Sequence, residues 1–263
     1  FDDAPWMSAT IRQRPDGAGV KFVHELVSTK LAETMGARSL RYLLLLEEKL
    51  TDTLPCPAID QIKRSLGSDS AEAYLFLDLL EVADELGGRA VHFLLDRRVH
   101  PAQSLLSPTL GAFQGEALCM YLPGVTLDAE QVCRLQQASG NAASAGFGGQ
   151  AANPSPRVCS RMLTMYSVSE LPCIVSGPSM YLFDPSGKYL TSSMGNHAFD
   201  GEGQKATSSP NPGLGRAYPL VPNELPKRFP DQFTPLAVFG FQPSAGAPLA
   251  GTLIRLPLRT HVL

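Results

Sequence analysis

The chain has no excess of positive charge: 22 lysines and arginines stand against 25 aspartates and glutamates, a net charge of -3. The basic field that draws proteins to nucleic acid is therefore missing. No apolar run approaches the roughly 20 residues that a membrane-spanning helix needs. Leu43 to Leu46 is only a short apolar patch inside a charged helical stretch. The five cysteines (Cys56, Cys119, Cys133, Cys159 and Cys173) are odd in number and never spaced CxxC. They read as reduced, structural thiols of a cytoplasmic protein. The five histidines share no metal-ligand spacing, which argues against a zinc site. There is no Walker loop, no GxSxG and no signal-like opening segment. The chain opens at Phe1 and is expected to be a segment of a longer polypeptide.

What is present is enough apolar material for a sizeable core, 44% hydrophobic in 263 residues. Residues 1–19 carry scattered Pro and Gly without periodicity and read as an irregular arm. Helical spacing follows over 20–50, with Gly36 dividing two helices, and again over Ile59 to Leu66. A longer helix is predicted from Ala71 to Leu86, stopped by Gly87-Gly88. Ala90 to Asp96 and Leu118 to Leu122 read as strands, the first a buried one because few polar residues interrupt it. Asp128 to Gln137 fits a helix, and Ser139 to Pro156, rich in Gly, Ala, Ser and Asn, a mobile loop. Arg161 to Val168 fits another helix. Cys173 to Ser176 and Met180 to Phe183 read as strands, and Asp184-Pro185-Ser186-Gly187 as a turn. Thr191 to Asn223 is polar and reads as an exposed excursion. Leu236 to Phe241 and Thr252 to Leu256 complete the strands. This order implies an α+β domain, a mixed sheet covered by helices on one face, over residues 68–263. Residues 1–67 form an N-terminal arm and helical extension to it.

Three stretches carry a family resemblance: AVHFLLDRRVHPAQSLLSPTLGAFQGEALCMY (Ala90 to Tyr121), ELPCIVSGPSMYLFDPSGKYL (Glu170 to Leu190) and GTLIRLPLRT (Gly251 to Thr260). They resemble the repeats of the sacsin family of chaperone-like proteins, which open with a Bergerat-type (GHKL) ATP-binding fold. The resemblance implies that fold here, over Ala71 to Thr260. It also implies where a nucleotide would be held, and those positions are altered.

In the family, a motif like ELIQNADDAGAT precedes the strand, and its asparagine helps hold Mg²⁺. This chain has DLLEVADELGGR, Asp78 to Arg89, in which Leu79, Ala83, Asp84 and Gly87 agree. Val82 stands at the asparagine position, where an isopropyl group offers Mg²⁺ none of the oxygen it needs. Asp78 stands where related ATPases keep a glutamate base. Taken alone, Asp78, Glu81 and Glu85 read as a solvated helix face. The adenine-reading aspartate-glycine turn corresponds to Leu122-Pro123-Gly124. Leucine has no acceptor for the adenine amine, and an unpaired buried donor costs roughly 1–3 kcal/mol. The family's glycine lid, GRFGIGFNSVYHITDVPCI, corresponds to PRVCSRMLTMYSVSELPCI, Pro156 to Ile174. Arg157, Tyr166 and Pro172-Cys173-Ile174 match, while Pro156, Cys159 and Arg161 occupy the glycine places. Side chains there block the close approach of backbone N–H groups to phosphate, although Arg161 could itself attract one. Gly146-Phe147-Gly148-Gly149-Gln150 resembles a displaced glycine lid and reads more simply as a linker. Gly251-Thr252 matches a family position near the phosphates. Arg255 and Arg259 alternate on the last strand and are expected in ion pairs or a partner contact.

The expectation is a non-catalytic pseudo-ATPase domain, without cofactor. It would act as a protein-interaction or scaffolding module within a large assembly. The alternative is a divergent ATPase that binds ATP and Mg, with Asp78 as base, the Gly146 to Gly149 loop as lid and Thr252 as phosphate contact. A third reading is binding without hydrolysis, of another ligand in the vacated cleft, which Val82, Leu122 and Met162 would make more apolar.

Overall fold

The computed structural model describes residues 1–12, 22–24, 26–47, 53–67, 71–136, 155–190, 213–222 and 224–259. Its elements run α1 (Pro5–Arg12), α2 (Thr29–Thr34), α3 (Leu40–Glu47), β1 (Thr53–Leu54), α4 (Ile59–Leu66), α5 (Ala71–Glu85), β2 (His92–Asp96), β3 (Ala117–Pro123) and α6 (Ala129–Leu135). They continue with α7 (Pro156–Met162), β4 (Cys173–Gly177), β5 (Ser179–Asp184), β6 (Leu214–Pro219), α8 (Leu225–Arg228), α9 (Pro230–Phe233) and β7 (Leu249–Pro257). The strands form one seven-stranded sheet in the order β1-β6-β5-β4-β7-β3-β2. The expected mixed sheet is corrected: every strand pair among the described residues is antiparallel.

The expectation of helices on one face is corrected as well, and the strands themselves explain why. Successive side chains leave a strand on opposite faces, and here both sets are apolar. On β3, Leu118, Met120 and Leu122 join one core cluster, Ala117 and Cys119 the other. On β5, Tyr181 and Phe183 face one way, Met180 and Leu182 the other. Such strands must be covered twice. The first face is covered by Ile62 of α4, Leu75, Leu79, Val82 and Ala83 of α5, and residues of α6 and α7. The second face is covered by Leu40, Leu44 and Leu45 from α3, by Leu225 of α8 and Phe233 of α9, and by Phe229 between them.

Several local expectations are met. α4 occupies the expected residues, and α5 and β3 differ from expectation by a residue or so at their ends. α6 starts with a reciprocal cap, in which Asp128 Oδ1 accepts from the Gln131 amide at 2.8 Å and Gln131 Oε1 accepts from the Asp128 amide at 3.0 Å. The Asp184-Pro185-Ser186-Gly187 turn is organised by its buried carboxylate, which accepts from the amides of Tyr189 at 2.6 Å and Leu190 at 3.0 Å.

Other expectations fail. The described part of the arm, residues 1–12, is not irregular: α1 is helical, and the indole N–H of Trp6 donates to the Arg228 carbonyl at 2.7 Å; the rest of the arm lies outside the described residues. The helix expected over Arg161 to Val168 is instead α7 followed by a 3₁₀ turn, Leu163–Ser167. Leu236 to Phe241 is not a strand, because Phe239 and Gly240 take positive φ values of 51° and 78° that no strand tolerates. Most of the Gly- and Ala-rich stretch before α7, including Gly146 to Gly149, lies outside the described residues, as do residues 191–212. The end of that second stretch is no exposed excursion: β6 lies between β1 and β5. Its Gly215 is required by close packing, since a Cβ there would sit 2.9 Å from the Leu54 carbonyl oxygen and 3.1 Å from the Phe183 ring.

β2 is the other surprise. It reads as a buried strand but forms an edge, with Leu94 and Leu95 exposed. Its end is tied down by Asp96, whose Oδ1 accepts from Arg98 Nε at 2.7 Å and whose Oδ2 accepts from Arg98 Nη2 at 2.9 Å. The His100 ring Nε2 lies 3.2 Å from Oδ2. The Arg98 hydrogen bonds hold the Asp96 carboxyl well below the usual carboxylate range, against the opposing effect of burial. A carboxylate depressed in the folded state contributes stability above its unfolded value near pH 4, and that stability is lost as pH falls below it. Asp96→Asn is therefore expected to destabilise the protein at neutral pH, with the gap to wild type closing below about pH 4. Urea titrations across pH 2–7 measure this; a gap independent of pH contradicts it.

Candidate functional site

The positions singled out by the family resemblance fall into two groups. The first lies between α5 and α7. On α5, Asp78, Glu81 and Glu85 recur at intervals of three and four, which places them along one side of the helix. α7 meets that side with its own first and second turns. Ser155 caps α7 and is held by Glu85: the Ser155 amide donates to Oε1 at 2.6 Å and the hydroxyl to Oε2 at 2.9 Å. Arg157, exposed, lies 3.5 Å from Glu81. Arg161, one turn further, forks: Nη1 reaches Asp78 Oδ1 at 2.7 Å and Nη2 reaches Glu81 Oε2 at 2.8 Å. The acidic residues form one half of an interhelical seam: Asp78, only 9% exposed, departs from the expected solvated face, whereas Glu81 is half-buried and Glu85 stays exposed. Arg161, the candidate phosphate attractor, is already engaged by two carboxylates.

Below the seam the contact is apolar. Val82, Leu122 and Met162 are fully buried members of one cluster, with Leu79 and Val158. Leu122 packs at the end of α5, where a Cβ on Gly88 would meet its Cδ2 at 3.5 Å. Cys159 is buried, and burial first, then the neighbouring Glu85 charge, pushes its thiol up. Asp84, one residue past Ala83, is exposed; its carbonyl accepts from the Gly87 amide at 2.9 Å to close the helix.

The second group lies where β3 and β7 end together. Gly124, with φ 74°, makes the turn after β3 and donates its amide to the Ala250 carbonyl at 3.0 Å. Thr252 is fully buried in a relay. The Leu127 amide donates to Ser176 Oγ at 2.6 Å, Ser176 and Thr252 hydroxyls lie 2.8 Å apart, and Thr252 donates to the Val125 carbonyl at 2.7 Å. These bonds pin residues 125–127 against β4 and β7. The Thr252 hydroxyl is spent on that task.

The arrangement can brace two helices and a turn. Val82 supplies hydrocarbon at the position where the resemblance expects an oxygen ligand. The Asp78 carboxylate is taken by the Arg161 guanidinium, and Cys159 and Arg161 carry side chains where the resemblance expects glycine. Sequence reasoning missed Glu81, Glu85 and Ser155 as partners of α7. The signal was there in the matched spacing of Glu81 and Glu85 with Arg157 and Arg161, beside the Ser155-Pro156 helix start.

No family model matches the chain. The chain is similar to human sacsin. It is 26% identical to that protein over 211 residues, a match that takes in 72% of this chain and 4% of sacsin. The chain therefore spans a small fraction of the length of the relative it matches. Among the described residues, no helix is long and apolar enough to cross a membrane, and no three His, Cys, Asp or Glu side chains are grouped to hold a metal.

On the opposite face of the sheet, Arg255 is nearly fully buried beside a shallow crevice lined by Leu110, Cys173 and Leu236. Of the ion pair or partner contact expected of it, no ion pair is present among the described residues, and its two Nη atoms donate to the Phe113 and Gly115 carbonyls at 2.9 Å. Burial pushes its guanidinium down, with Cys119, Cys173 and Asp96 opposing. Arg259 behaves as expected, 3.9 Å from Glu170. Among the described residues, which include all five cysteines, no disulfide forms. Burial raises the Cys119 thiol to about 11 and Cys173 to about 12, so both stay protonated and unreactive at neutral pH.

Proposed function

We propose that this chain is a pseudo-ATPase module of a larger, chaperone-related cytoplasmic polypeptide, built on a degenerate Bergerat-type fold. It works through protein contacts and not through nucleotide turnover. The observation that carries this reading is the Arg161 fork. A guanidinium bridging Asp78 and Glu81 closes α7 onto α5 at the place where the resemblance puts a triphosphate and its metal. The similarity to sacsin supports the larger polypeptide, and the apolar packing of Val82, Leu122 and Met162 supports the loss of the cleft. A nucleotide entering there would have to break two charge-assisted hydrogen bonds and expose buried side chains before gaining any contact of its own. Isothermal titration of the protein with ATP and Mg²⁺ is expected to give no heat above dilution at millimolar nucleotide. Micromolar binding, or an ATPase rate abolished by Asp78→Ala, overturns this reading in favour of a divergent ATPase.

A further inference from the structure

The sheet ends at β2, and among the described residues no strand lies beyond it. An edge strand presents alternate N–H and C=O groups with no partner, and proteins usually guard it with proline, lysine, a bulge or a covering element. Among the described residues β2 has none of these. Its sequence, His92-Phe93-Leu94-Leu95-Asp96, pairs with β3 in an unbroken register. Its one acidic residue, Asp96, sits at the end and is turned in on Arg98 and His100. Both faces of the strand expose hydrocarbon, Leu94 at 36% and Leu95 at 45%.

The apolar surface continues onto α5. Phe93 meets Phe76 edge-to-face, with ring centroids 5.1 Å apart. Phe76 and Leu80, one turn apart on α5, are 50% and 45% exposed. An open hydrogen-bonding edge beside an apolar helix side is the geometry of strand addition. The backbone supplies affinity, and alternate side chains of the incoming strand settle on the helix. Charge narrows the occupant. Arg89 precedes β2 and Arg97 follows it, both exposed and neither in an ion pair among the described residues. Arg98 is neutralised by Asp96, which leaves Asp84 and Glu85 at the end of α5 as the opposing exposed charges nearby in sequence, Glu85 turned to Ser155 of α7. A second copy of the chain fits poorly, because antiparallel pairing of two β2 strands about Leu94 would set Arg89 of each copy beside the Arg97-Arg98 end of the other.

Resting on the interaction-module reading above, we propose that the β2 edge and the Phe76–Leu80 side of α5 bind an extended polypeptide segment as an eighth strand. Its apolar side chains alternate toward α5, and acidic residues flank them.

The test uses fluorescently labelled Asp-Asp-Val-Thr-Val-Thr-Val-Asp-Asp, acidic at both ends so that either strand direction sets a carboxylate beside Arg97. Fluorescence anisotropy is expected to show saturable binding. Binding should be about tenfold weaker for the lysine-flanked version, and Arg97→Glu should reverse that preference. Leu94→Lys, a change at an exposed position, is expected to weaken binding about tenfold by guarding the edge. Peptide should also slow hydrogen exchange at the β2 amides. The proposal is overturned by no saturable binding, by equal binding of a peptide N-methylated at all five central residues, or by a preference that Arg97→Glu leaves unchanged. It is equally overturned by β2 amides already protected in the free monomer, which would mean that the chain covers its own edge. A dimer seen in sedimentation and lost in Leu94→Lys would assign the edge to a second copy. Micromolar ATP binding would defeat the pseudo-ATPase reading without touching these outcomes, and peptide failure with silent nucleotide titrations would defeat the edge alone.

Discussion

Arg161→Met is expected to destabilise the protein by roughly 2–3 kcal/mol, more than an exposed ion pair contributes, because it leaves a mostly buried carboxylate without its partner. Arg161 and Asp78 side chains are 21% and 12% exposed, so the loss falls short of that for a fully buried pair. Methionine keeps the stem that packs between the helices, which isolates the charge from the packing. The second half of the test is Asp78→Leu combined with Arg161→Met. Removing both charges is expected to recover stability to within about 1 kcal/mol of wild type. Urea denaturation of the four proteins gives the coupling directly. Additive losses would mean that the fork is incidental, and would remove the main support for a cleft closed by its own side chains.

Gly251→Ala is expected to cost roughly 2–4 kcal/mol, on the scale of overpacking in a core. A Cβ at Gly251 would collide with the Leu122 carbonyl oxygen and come within 2.8 Å of the Tyr121 ring. Neither has room to move: Pro123 pairs with Gly251 across the β3–β7 ladder, and the Tyr121 hydroxyl donates to the Ala250 carbonyl at 3.0 Å. The control is Gly246→Ala. Gly246 has φ 72° but open space around its missing Cβ, so only the left-handed backbone opposes the change, at about 1–2 kcal/mol. If the two variants melt alike, the close approach of β7 to β3 is not what Gly251 serves. The resemblance ties Gly251 to a phosphate site, whereas the structure explains it by packing.

These two positions show how the site was legible and where it was not. The expectation that Val82, Leu122, Cys159 and Arg161 suit a nucleotide poorly rests on residue type at positions matched through the resemblance. What Arg161 does instead is a contact between residues 83 positions apart, and no local pattern names a partner at that distance. Reading Asp78, Glu81 and Glu85 as a solvated face was the natural inference from one helix seen alone. Thr252 likewise looked available until Ser176 and Val125 were found on either side of its hydroxyl.

The same division runs through the fold. Short-range physics wrote α4, α5, β3 and the Asp184 turn into the chain. Their signals (helical or alternating apolar spacing, a glycine stop, a turn tetrapeptide) act within a few residues and need no distant partner. Tertiary structure alone decided that β6 would pair inside a polar, Gly- and Pro-rich stretch, that β2 would be left at an edge, and that both faces of the sheet would be covered. It also decided that α7 would lock onto α5. Each of these depends on which surfaces meet after the chain has returned on itself, and an apolar strand or an acidic helix side carries no mark of what will lie against it.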